Sequence, residues 1–236
     1  MGGETVASGE RSTAMGSSTT ASGKNATAMG ESTEATAQNA TAMGNSTKAT
    51  ATVATAMGNS TLASGNNSTA MGSSTTASGN NSTAMGLGTR ATLDNSTAMG
   101  NNTLASGENS ISMGNSTEAT AQNATAMGIG TIASDYGSVV IGQYNSAGAT
   151  VTNSATSYAV DNTALVIGNG TDAANPSDAF KVLFNGNTTI AGTLTVGDIT
   201  IPNVDGNANE VLTTDGAGVL AWSAPGSAAT EVSITD

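Results

Sequence analysis

Apolar and polar positions along this chain return with a period of 14 residues. Met15, Met29, Met43, Met57, Met71, Met85, Met99, Met113 and Met127 form one row, and Ile141 takes the next place in it. Alanine recurs at the same spacing from Ala7 to Ala133, and threonine from Thr19 to Thr131. A strict period over more than half of a chain predicts a repeat architecture, in which each unit buries its faces against its neighbours.

Inside each unit a shorter period of seven is visible, because Ser12-Thr13-Ala14-Met15-Gly16 and Thr19-Thr20-Ala21-Ser22-Gly23 both read small-x-Ala-x-Gly. Two short strands per coil follow. Alternation puts Ser12, Ala14 and Gly16 on one side of the first strand and Thr13 and Met15 on the other. The second strand sets Thr19, Ala21 and Gly23 opposite Thr20 and Ser22. Small rows such as Ala14, Ala28 and Ala70 on one strand, and Ala21, Ala35 and Ala77 on the other, let two strands lie back to back as the interior of a thin roll. Gly16 and its equivalents are expected at the corners. On this parity the Met row, with Ile141, points outward as a ridge roughly 40 Å long at the strand spacing of roughly 4.8 Å. A continuous apolar ridge marks an interface. The opposite parity, Met inside and Ala outside, is the competing reading.

Composition narrows the chemistry. There is no Cys and no His among 236 residues, which removes disulfides, thiolate metal sites and most general-base constellations. Basic residues stand only at Arg11, Lys24, Lys48, Arg90 and Lys181, and no phosphate-cradling Gly-x-x-x-x-Gly-Lys-Ser/Thr run occurs. The chain is therefore read as a non-enzyme without cofactor or metal. Its net charge of −12 opposes nucleic acid and anionic membranes as partners. No apolar run approaches the roughly 20 residues that span a bilayer, and the N-terminus lacks a basic-then-apolar signal pattern, so display outside a cell would need a signal or anchor from elsewhere. Asp161, Asp172 and Asp178 are read as solvated loop carboxylates in preference to a cation site. Asn-x-Ser/Thr sequons at Asn25, Asn39, Asn45, Asn59, Asn81, Asn95, Asn115 and Asn123 are read as products of the repeat's own corners.

Ser68-Thr69-Ala70-Met71-Gly72 followed by Thr75-Thr76-Ala77-Ser78-Gly79 resembles the 14-residue Hep/Hag repeat of YadA-like trimeric autotransporter adhesin heads, and similar repeats occur in phage and viral tail fibres. The resemblance covers about residues 5–149. It implies a left-handed parallel β-roll, all-β, with three chains packed about a threefold axis and the first strand's outward residues, the Met row, at the trimer centre. Met and Thr stand here where that family usually carries Ile or Val.

The array is expected over 1–149, a closing coil or cap over 150–178 and a β-hairpin-rich tail over 179–236. Val139-Val140-Ile141-Gly142 returns as Leu165-Val166-Ile167-Gly168, with Tyr144 and Tyr158 in the interval. Phe180 to Phe184 alternates, Asn185-Gly186 signals a turn, and Thr189 to Val196 alternates again, so Phe180, Val182 and Phe184 are expected to face Ile190, Leu194 and Val196. Val211 to Trp222 reads as a second such unit, and both are similar to shaft segments of fibre proteins.

The function expected is that of an extracellular structural and adhesive fibre on a cell surface or virion, a homotrimer that presents a binding surface to a host. Receptor contacts would fall at outward positions such as Lys48, Leu62 and Leu104, or at the terminal loops. Two alternatives accompany it: a self-assembling extracellular filament subunit joined end to end, and an ice-binding solenoid built on the Thr rows.

Overall fold

The structure, a computed structural model, describes residues 3–197, 199–201, 205–214, 217 and 220–225. Two compact units emerge, Met1–Thr188 and Thr189–Asp236. The first is a parallel β-solenoid of about ten coils, and there is no helix among the described residues.

Each coil carries one five-residue strand and one two-residue strand, as in Thr27–Glu31 and Glu34–Ala35. Every strand pairs in parallel with its counterpart 14 residues on, so that Thr69, Ala70, Met71 and Gly72 meet Thr83, Ala84, Met85 and Gly86. The long strands run in one sheet from Thr13–Ser17 to Val139–Gln143, and the short strands in another from Val6–Ala7 to Ile132–Ala133. Identical residues thus stack rung upon rung, which is why one sequence period becomes one structural period.

The interior between the two sheets is alanine. Ala21, Ala28, Ala35, Ala70 and Ala77 are fully buried, whereas Ala14, in the first coil, is partly exposed and packs against them. The Thr19 row lies fully inside as well, from Thr19 through Thr75 to Thr131. An alanine methyl contributes only about 0.8 kcal/mol on burial. Close packing and the backbone ladder therefore carry the stability that large side chains supply elsewhere.

The corners differ from expectation. Gly16 and its equivalents lie inside the long strand, not at the corners. At Gly72 the φ is +121°, and a Cβ there would overlap the carbonyl oxygen of Gly86 in the next coil, so the rungs approach too closely for any side chain. The corners themselves belong to two other rows in left-handed conformation, Ser18 (φ 52°) and Asn25 (φ 56°) with their counterparts. Asparagine suits that region, and it adds a ladder: Asn67 Nδ2 donates to Asn81 Oδ1, Asn81 to Asn95, Asn95 to Asn109 and Asn109 to Asn123, at 3.0–3.2 Å. Several sequon asparagines are members of this stack.

The array ends in a cap. In ordinary coils the short-strand amide donates to a backbone carbonyl 13 residues on, as Leu104 N does to Thr117 O at 2.9 Å. At the last short strand the side chain of Asn145 replaces that backbone, accepting from Ile132 N and donating to Ile132 O, both at 2.8 Å. The otherwise open edge is closed without another coil. Asp135, fully buried, holds the returning loop: its carboxylate accepts from Thr152 N and Oγ1 and from Thr163 N and Oγ1 at 2.6–2.8 Å. Asp178 is no free loop carboxylate either, because it accepts from Ser146 N and Ala147 N at 2.8 Å each.

Thr163–Asn169 then continues the long-strand sheet in parallel, with Val139 opposite Leu165 and Ile141 opposite Ile167. Asp178–Leu183 returns antiparallel to it, which sets Phe180 against Ile167 and Val182 against Leu165. The turn at Asn185-Gly186 forms as expected, with Leu183 N donating to Asn187 O at 2.9 Å. The strand read from Thr189 to Val196 does not hold together, however. It stops at Ile190, where Ala191-Gly192 bends, and Leu194 and Val196 pair with Ile201 and Ile199 instead. Glycine in a strand weakens it and invites such a bend. In the second unit Val211–Thr214 pairs antiparallel with Leu220–Ser223, so Leu212 meets Trp222. Val219 and the Ala/Ser/Thr-rich end of the chain lie outside the described residues.

Candidate functional site

The long-strand sheet presents two outward rows, Thr13 with its counterparts and Met15 with its counterparts. Register holds the Met row in one line, Met15 against Met29, Met29 against Met43, Met57 against Met71, Met85 against Met99 and Met113 against Met127, and then Met127 against Ile141. Ile167 extends the line by one rung. Met15, with a neighbour on one side only, is 50% exposed, while Met29 to Met127 and Ile141 are half-buried against one another and the flanking rows. Gly16 and its equivalents follow each Met without a side chain.

Charge avoids this face. From Thr13–Ser17 to Val139–Gln143 the long strands carry a single ionisable residue, Glu31, at a strand end. The short-strand sheet holds Glu34, Lys48, Arg90 and Glu118 at its outward positions. There Lys48 Nζ meets Glu34 Oε1 at 2.8 Å, and at the adjoining corner Lys24 Nζ meets Glu10 Oε2 at 2.9 Å. Depletion of charge with retention of Met is the composition of an interface core. The two sheets therefore offer opposite surfaces, one apolar and continuous, the other polar and varied from rung to rung. Lys48, Leu62 and Leu104 all lie on the second.

Nothing on either surface assembles reactive groups. Among the described residues no three acidic side chains converge as a metal site. Asp161 accepts a long hydrogen bond from Asn185 Nδ2 at 3.3 Å. Asp172 accepts from Ala174 N, and from Asn175 N and Nδ2, and these bonds, that from Ala174 above all, lower its pKa below the ordinary aspartate value. The carboxylate is thereby committed to its own turn.

A stack of closely similar coils paired in parallel register, with one apolar face, defines a repeat protein of the β-solenoid kind. The family model of the YadA head domain repeat matches residues 7–33, 35–61, 63–89, 90–117 and 119–145, and the chain belongs to that family. Its role is thus that of an adhesin-type head or fibre, in a family of structural repeats and not of enzymes. Comparison with curated proteins gives no match.

Sequence reading missed the features that close the array. Asp135 occupies a row otherwise filled by Gly, Ala or Leu, at Gly79, Leu93, Gly107 and Ala121, and that break in pattern was a usable signal. Asn145 gave none, because its role depends on where the loop after Tyr144 passes.

Proposed function

We propose that the Met row is the self-association face of a homotrimeric, surface-displayed adhesive fibre, and that the short-strand sheet and the terminal loops present the host-binding surface. The observation that carries this reading is the charge-free ladder from Met15 to Ile141, in register over ten rungs and left partly exposed by the described residues. Full burial of a Met side chain is worth roughly 1.5–3 kcal/mol. With about half of that already realised along the ladder, nine residues leave on the order of 10 kcal/mol gross for association, against which rotational and translational entropy must be set. Three chains meeting on one axis bury all three ladders together, which a two-chain contact between such narrow ridges does less completely. Family membership supports the same number of chains and an extracellular position.

Of the two threonine rows behind the ice-binding alternative, the Thr19 row is buried and offers no surface on which to order water, and the outward Thr13 row lies beside the Met ladder. The test of the proposal is the molar mass of the native protein by light scattering over a dilution series. A mass near three times 22.7 kDa, insensitive to dilution, is expected. Met57→Asp with Met85→Asp should abolish it, because charges desolvated on the axis cost more than the contact returns. A wild-type chain that stays monomeric refutes the trimer.

A further inference from the structure

The proposed association face lies on the long-strand sheet. At the C-terminal end of the roll, on the short-strand side, there is an open hollow of about 300 Å³ with mostly apolar walls. Its lining includes Glu118, Ile132, Tyr144, Ala173 and Pro176. Tyr144 sits at a corner in left-handed conformation (φ 41°), and its ring lies directly over Gly130, where a Cβ would collide with the ring edge. The missing side chain at Gly130 lets the aromatic plane form one wall.

Glu118 supplies the one charge in this lining. The other carboxylate of the same row is paired: Glu34 is answered by Lys48 on the next rung, at 2.8 Å. The rungs beside Glu118 carry Leu104 and Ile132, and its carboxylate takes no ion pair or hydrogen bond among the described residues. No base is near in sequence either. Between Arg90 and Lys181 the chain holds Asp94, Glu108, Glu118, Asp135, Asp161, Asp172 and Asp178 and neither Lys nor Arg.

We propose that this hollow binds a cationic side chain, lysine or arginine, from a partner polypeptide. The aliphatic stem would pass over Ile132, Ala173 and Pro176, the charged head would reach Glu118, and the Tyr144 ring would add a cation–π contact. A volume at the low end for small-molecule sites fits one side chain better than a whole ligand. This site stands apart from the Met face and does not depend on the number of chains, although several copies in one fibre would raise the avidity for a repetitive basic partner.

The test is an NMR titration of the intact protein that follows the Ile132 methyl and Tyr144 ring resonances. The probes are the N-acetyl amides of lysine and arginine, with that of norleucine as the uncharged control and glucose as a neutral polar one. Saturable shifts at millimolar concentrations with a cationic probe, absent with norleucine and glucose, are expected. Glu118→Gln should weaken them about two- to fivefold while leaving the rest of the spectrum unchanged, the range that one exposed ion pair supports. Equal binding of norleucine, saturation by glucose, no shift up to 100-fold above the protein concentration and beyond into the tens of millimolar, or an unaffected Glu118→Gln variant would each overturn the proposal.

Discussion

The buried threonines make a sharp test of how this interior is held. Thr75 is fully buried, and its Oγ1 has no hydrogen-bond partner. The same holds for Thr19, Thr33, Thr47, Thr61, Thr89, Thr103 and Thr131. Thr117 differs, because Ser112 stands across from it and their hydroxyls meet at 2.7 Å, with Ser112 Oγ also donating to Thr117 O at 2.8 Å. Valine has the shape of threonine without the hydroxyl. A buried, unsatisfied polar group costs about 1–3 kcal/mol, so Thr75→Val should stabilise the roll by about 1–2 kcal/mol. In a unit of this length that is a rise of about 2–8 °C in the thermal midpoint. Thr117→Val removes a made hydrogen bond, worth about 0.5–1.5 kcal/mol, and should leave the midpoint unchanged or lower it. Thr47, Thr75 and Thr103 are two coils apart, roughly 9–10 Å at the strand spacing, so the triple valine variant should approach the sum of its parts. Scanning calorimetry at matched chain concentration is the assay, since association shifts the midpoint by mass action. A Thr75→Val variant less stable than the parent, or one indistinguishable from Thr117→Val, would refute the reasoning and show that the hydroxyl column is itself a bonded chain.

Other perturbations follow from the same structure. Gly72→Ala places a Cβ onto the Gly86 carbonyl at a φ of +121° and should destabilise by more than about 3 kcal/mol, lowering the midpoint in circular dichroism, whereas Ala77→Gly, which only removes a methyl, should cost about 1–2 kcal/mol. Asn145→Ala leaves Ile132 N and O without their capping partners, and should speed amide exchange at Ile132 by at least tenfold while the central coils stay protected. Asn95→Ala interrupts an exposed ladder and places alanine at a left-handed corner (φ 57°), so a loss of about 1–2 kcal/mol is expected in the same thermal scans.

The coil, its two strands and the buried alanine rows were legible because one residue type repeats at one place, but the Gly16 row, read on the inward side with Ala14, is largely exposed. The glycines were placed wrongly because positive φ was assigned to corners by habit. The close approach of successive rungs at Gly72 and Gly86 is a property of stacking that no single coil displays. Corner conformation was written in the sequence as the Asn25, Asn39, Asn67, Asn81 and Asn95 row, whose sequons come from the repeat's own corners. A cap was expected from the end of the repeat, but the contacts that build it were not. Asn145 and Asp135 act through contacts with Ile132 and Thr163, set by the path of an irregular loop. Likewise the break at Ala191-Gly192 overrode an alternation that continued unaltered on both sides.

The in-register stacking of Met71 on Met85 and Gly72 on Gly86 also means that no coil knows its position in the array. Inserting or deleting one 14-residue unit gives the rungs at the junction new neighbours with the same alanine, methionine and glycine rows, and leaves the Asn145 seal at the end of the array. Reach is then a counted quantity that changes in steps of roughly 4.8 Å per coil. Unequal recombination within the coding repeats could lengthen or shorten such a fibre while each intermediate folds, so the distance between an anchor and its target becomes a trait selection can tune one step at a time.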